Sequence, residues 1–129
     1  MLERTVAALN GLLVGNPTPF NALWSHAEDV SVVGGFGGYE IGWEKVKQNT
    51  ELAASRFSGG QLLSIELVTL GASSSGDLAF SVWIERGEVH LVGRDVSVPL
   101  TVRVTHIFRR EGDSWKLIHR HGDQVAQTT

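Results

Sequence analysis

Three histidines and two arginines near the C-terminal end carry most of the chemistry this sequence offers. His119 and His121 are two residues apart, so on a strand they share one face, and His106 lies in the preceding strand-like segment. Imidazole changes charge near neutrality and can carry a proton. Asp123 follows on the same alternation and Glu40 is a further acid, so His119, His121 and Asp123 form one candidate acid–base group. The competing reading is structural: histidines on an apolar strand face hydrogen-bond each other, water or backbone. A three-histidine zinc centre would also need oriented partners behind its ligands, and no carboxylate is plainly aimed at this group. No metal and no other cofactor is expected.

Arg103 and Arg120 fall at mid-strand, where a charge without a partner is costly. Facing a pocket, they would complete an anionic or carbonyl-bearing ligand. Otherwise they would pair with Glu66, Glu85 or Asp95, or across a subunit interface, and both alternatives stay open.

These residues belong to Leu100–Val125, which reads as two long strands joined at Glu111-Gly112-Asp113-Ser114. Pairing Arg110 with Trp115 sets His106 opposite His119, Val104 opposite His121 and Thr105 opposite Arg120. Polar residues then stand among apolar ones at mid-strand, the pattern of a sheet lining a pocket.

The elements before the hairpin must cover it. Val6, Leu9, Leu12 and Leu13 recur at helical spacing over Leu2–Leu13, and Gly15-Asn16-Pro17 stops that helix. A short second helix starts at Pro17 or Thr18 and carries Phe20, Leu23 and Trp24. Val30–Val33 is a strand, followed by the glycine-dense run Gly34–Tyr39, which lacks both the phosphate-loop lysine and the dinucleotide-binding spacing. A third helix is predicted from about Trp43 to Phe57, with Gly59-Gly60 as its stop. The period then changes to two over Leu63–Val68 and Leu78–Glu85, with a turn at Gly71–Asp77 and a reversal at Gly93-Arg94-Asp95. This is an α+β pattern in which helices cover one face of a curved, mainly antiparallel sheet. Trp24, Phe36, Tyr39, Trp43 and Phe57 would then line a ligand pocket together with Arg103, Thr105 and Arg120.

The chain has 129 residues and a mean hydropathy near zero, and reads as a single domain over 1–129 that buries about two thirds of its unfolded surface. A net charge of −3 and an isoelectric point near 5.9 leave no footprint for phosphate backbones, so nucleic acid is not an expected partner. The absence of cysteine excludes disulfides, thiolate metal sites and cysteine nucleophiles. The N-terminus has neither a basic start nor a small-residue cleavage site, and no apolar run approaches the ~20 residues of a membrane span. No membrane association and a cytoplasmic location are the expectations.

Two stretches carry a family resemblance. Ser25–Val46, SHAEDVSVVGGFGGYEIGWEKV, and Val102–Asp123, VRVTHIFRREGDSWKLIHRHGD, resemble the SnoaL-like family of the nuclear-transport-factor-2-like superfamily. The second also looks like the closing hairpin of the calcium/calmodulin-dependent kinase II association domain. The resemblance implies a cone-shaped, cystatin-like sheet with N-terminal helices on its concave face, and a homodimer packed through the outer face. Ketosteroid isomerases of this superfamily keep a catalytic aspartate just after the first strand. The matching position here is near Gly34, which has no carboxylate. The expected function is binding of a small, largely apolar molecule bearing an anionic or carbonyl group. The alternatives are a cofactor-independent isomerase, cyclase or dehydratase using histidine acid–base chemistry, and an oligomerising module.

Overall fold

The computed structural model describes residues 2–34 and 38–125. Phe36 lies outside the described residues. The element order is α1 (Leu2–Leu13), α2 (Thr18–Leu23), β1 (Ser31–Val33), β2 (Tyr39–Ile41), α3 (Trp43–Ala54), β3 (Phe57–Ala72), β4 (Leu78–Leu91), β5 (Ser97–Glu111) and β6 (Ser114–Gln124).

The strands form one curved, unclosed sheet in the order β2-β1-β6-β5-β4-β3. Every pair is antiparallel except β1 with β6. Helices cover one face of this sheet, the α+β arrangement that the alternation of patterns predicts. α1 buries Thr5, Ala8, Leu9 and Leu13 along one stripe. α2 adds Phe20 and Leu23, and α3 adds Val46, Thr50 and Ala54. Of these, Ala8, Leu9, Phe20, Leu23 and Val46 meet Trp24, Val32, Trp83, Val104, Phe108 and Leu117 in the main core.

Two expectations are corrected. β2 is a strand that the glycine-dense sequence around it conceals; it is three residues long and, among the described residues, pairs with β1 alone. The third helix ends at Ala54 instead of Phe57. Phe57 opens β3, where it is buried with Leu13 and Val89. Gly59-Gly60 is therefore strand rather than helix stop. A Cβ at Gly60 would sit 2.5 Å from the Glu88 carbonyl oxygen, so the glycine there permits close passage of β3 against β4.

On β4 the alternation is unbroken, and its direction is informative. Ser81, Trp83 and Glu85 point inward and are buried, whereas Leu78, Phe80, Val82 and Ile84 point outward. The more polar set thus faces the helices. Burying Glu85 requires a partner inside, and presenting Phe80, 40% exposed, on the outer face leaves apolar surface uncovered.

Candidate functional site

The geometry of the site begins with one extra residue. Arg110 pairs with Trp115 as the turn predicts, and Phe108 with Leu117, but Ile107 then pairs with His119. Ile118 is the additional residue of a β-bulge, and beyond it every partner shifts by one. His106 faces Arg120 instead of His119, Thr105 faces His121 instead of Arg120, and Val104 faces Gly122 instead of His121. A one-residue shift exchanges the faces of a strand. Arg120 consequently turns inward beside His106, and His119 and His121 turn outward. The expected convergence of three imidazoles does not occur.

Arg120 reaches the wall of a cavity of about 330 Å³ between the sheet and the helices. Its wall is mainly apolar, with Leu9, Phe20, Val32, Phe57, Leu62 and Val102 contributing. Tyr39, Glu40, Asn49 and Arg56 add polar groups, and Gly122 keeps the wall beside Arg120 low.

The guanidinium is bound on two of its three edges. Nη1–H and Nη2–H donate to Glu85 Oε2 and Oε1 at 3.0 and 3.1 Å. The other Nη1–H donates to His106 Nε2 at 2.8 Å. Trp83 Nε1–H donates to Glu85 Oε2 at 2.8 Å, holding the carboxylate from behind. The cation also lies over the Phe20 ring, 5.7 Å from its centroid. Side-chain exposures of 15% for Arg120 and 5% for Glu85 make this a desolvated pair, where a bidentate geometry matters most. Of five guanidinium hydrogens, those on Nε and the remaining position of Nη2 meet no acceptor among the described residues. They lie along one edge and form a two-pronged donor fork.

The other anticipated residues are distributed differently. Tyr39, Phe57 and Arg120 line the cavity. Trp24 is core, edge-on to Phe20, and Trp43 stacks on His26 with centroids 4.0 Å apart. Arg103 forms an exposed ion pair with Asp123, so its partner is none of the three acids anticipated for it. On that outer face His119 Nδ1 shares a hydrogen bond with Ser31 Oγ at 2.8 Å and lies edge-on to His121. Thr105 stands opposite His121. Phe20, which pattern reading assigns to helix packing, is also cavity wall, and Glu85 is the acid that Arg120 uses. The sequence offers Glu85 as one of three acids for Arg120, but as part of the polar set of its strand it shows no sign of facing inward.

Because arginine only donates, His106 Nε2 must be unprotonated, and the neutral ring carries its hydrogen on Nδ1. Burial, then the Arg120 charge and, least, His119 hold the His106 pKa well below 6.5. His119 is lowered too, by burial and by His121. The unfolded chain then takes up these protons first, so stability is full above about pH 6.5 and is lost as pH falls toward the folded values. Urea unfolding between pH 7 and pH 5 should show this decline, with a slope of at most about 1.4 kcal/mol per pH unit for His106. In His106→Gln the decline should flatten to the share left by His119; an unchanged slope would contradict the buried, neutral imidazole.

A SnoaL-like domain model matches residues 14–127. No curated protein sequence matches the chain significantly. Among solved structures, a nuclear transport factor 2-like superfamily protein from Salmonella enterica superposes with a TM-score of 0.78 at 16% identity, over 99% of this chain and 88% of that one. A ketosteroid isomerase-like protein from Erwinia carotovora gives 0.76 at 14% identity, over 98% and 94% of the two chains. A nuclear transport factor 2-like protein from Streptomyces avermitilis, provisionally described as a dehydratase, gives 0.74 at 24% identity, over 98% and 93%. At these identities the structural likeness speaks for the fold, while the sequence match covers most of the chain, and the chain therefore belongs to the SnoaL-like family.

Proposed function

We propose that this protein binds a small, largely apolar molecule through one hydrogen-bond acceptor, a carbonyl oxygen above all. The observation that carries this reading is the Nε–H and Nη2–H fork of Arg120, without an acceptor among the described residues, on a residue that lines a mainly apolar cavity. Glu85 already neutralises the guanidinium, so a carboxylate ligand would compete with a held, desolvated partner, whereas a neutral carbonyl would not. Hydrogen bonds from a charged donor contribute about 1.5–3 kcal/mol each. Binding is preferred to histidine acid–base chemistry because no histidine lines the cavity among the described residues. The family's fold hosts several chemistries, so the site and not the fold bears the assignment.

Prodan, a neutral naphthyl ketone with environment-sensitive emission, is a suitable probe. It should bind saturably with a blue-shifted emission. Ala53→Trp, which places an indole in the cavity from α3, should weaken binding by at least about tenfold. Equal binding by this variant, or no saturable binding by the parent protein, would remove the cavity from the account.

The outer face is assigned to a second copy of the chain. Leu78, Phe80, Val82, Ile84 and Ile107 form its apolar centre, with the Arg86–Glu66 and Arg103–Asp123 pairs beside them. A self-complementary apolar centre with a charged rim suits a two-fold homodimer. Sedimentation velocity at micromolar concentration should give a dimer, and Phe80→Glu should give a folded monomer; a parent protein that sediments as a monomer would overturn the assignment.

A further inference from the structure

Behind Arg120 lies a second layer of polar atoms that ligand contact does not require. His106 is wholly buried and Ser81 is its register partner across β4 and β5. Directly opposed residues of an antiparallel pair have Cβ atoms about 4.5–5.5 Å apart. Each keeps one buried polar atom without a partner among the described residues, His106 Nδ1 and Ser81 Oγ. Since His106 Nε2 accepts from Arg120, the Nδ1 atom is a donor, and the serine oxygen is an acceptor. A stranded donor and a stranded acceptor on directly opposed buried residues are costly apart and complementary together.

We infer that His106 is the positioning residue of the cavity, its tautomer set by Arg120, its Nδ1–H anchored on the Ser81 side and its Nε2 fixing the plane of the Arg120 guanidinium on the other. Glu85 alone grips two hydrogens at one end of that group and leaves it free to pivot about the carboxylate. The His106 contact adds a third point, off that axis, and so fixes where the Nε–H and Nη2–H fork points. Trp83, 5.3 Å from His106 between centroids and at right angles, holds the imidazole plane. No direct hydrogen bond joins Nδ1 to Ser81 Oγ, and one internal water between them would satisfy both, as buried polar groups commonly are. The chain Ser81, His106, Arg120, Glu85, Trp83 thus acts as one rigid unit, of which Arg120 and Glu85 reach the cavity wall.

The inference rests on the proposed ligand contact for its consequence, but its geometry can be read without any ligand. In ¹⁵N-labelled protein at pH 7.5, His106 should show the Nδ1–H tautomer, and the Arg120 Nη groups should show hindered rotation, with separate resonances. His106→Gln can bring an amide oxygen to the place of Nε2 and should keep that signature and prodan affinity within about threefold. His106→Leu keeps the volume and removes the acceptor; it should average the Nη resonances and weaken prodan by about tenfold or more, a loss of about 1.4 kcal/mol. Ser81→Ala should leave the Nδ1–H tautomer in place, because Arg120 dictates it, and loosen the ring and with it Arg120 in the same spectrum. A His106 ring protonated on Nε2, or a folded His106→Leu protein whose Arg120 spectrum equals the parent's, would overturn the inference. Hindered rotation with the expected tautomer, together with no prodan binding by the parent, would retain the positioning role and discard the ligand assignment instead.

Discussion

The buried pair of Arg120 with Glu85 is the constraint around which this molecule is arranged. Taking both charges out of water is costly, and is offset only when the geometry is close to ideal and the remaining hydrogen-bond capacity is used. Each neighbouring element contributes to that condition. β4 supplies Glu85 and Trp83 on one face, β5 supplies His106, α2 supplies the Phe20 ring, and β6 supplies the arginine itself. The cost of the polar interior on β4 falls on the outer surface, where Phe80 and Ile84 occupy the positions that an isolated sheet would give to polar residues.

How the arginine comes to face inward is a matter of a single residue. On β6, Leu117 must enter the core, where it is fully buried and bridges to Trp24, and Arg120 must enter the cavity three positions later. A regular strand would send two residues three apart to opposite faces. The bulge at Ile118 reconciles the two requirements, and Ile118 itself stays half-buried against the core.

That bulge also marks the limit of what the sequence discloses. The architecture was legible because its signals are local: helical spacing in Leu2–Leu13, period-two alternation in Leu78–Glu85, and a polar turn that correctly pairs Arg110 with Trp115. The family resemblance of Val102–Asp123 agrees with them. Nothing in the run Leu117-Ile118-His119-Arg120 announces an irregularity, since isoleucine suits a regular strand and no glycine or proline interrupts it. The bulge is selected by burial of Leu117 and Arg120 against distant elements, so strict alternation pairs His106 with His119 and sends Arg120 to the face opposite His106, although the structure brings Arg120 and His106 together. Glu85 is one of three acids that the sequence offers Arg120, and Arg120 is expected in the pocket wall, where it lies. What is not legible is that Ser81, Trp83 and Glu85, and not the apolar set of β4, face inward.

A double-mutant cycle on Glu85 and Arg120 tests this account most directly, using Glu85→Gln, Arg120→Gln and the double variant in urea unfolding. Either single change strands one buried polar partner, and breaking such a pair costs roughly 3–5 kcal/mol. If the pair is desolvated and bidentate inside the cavity wall, the double variant should be far more stable than the sum of the single losses implies, with a coupling of about 2 kcal/mol or more. Additive losses, with coupling below about 0.5 kcal/mol, would mean that Arg120 does not face Glu85 and that the bulged register is not the one the protein adopts.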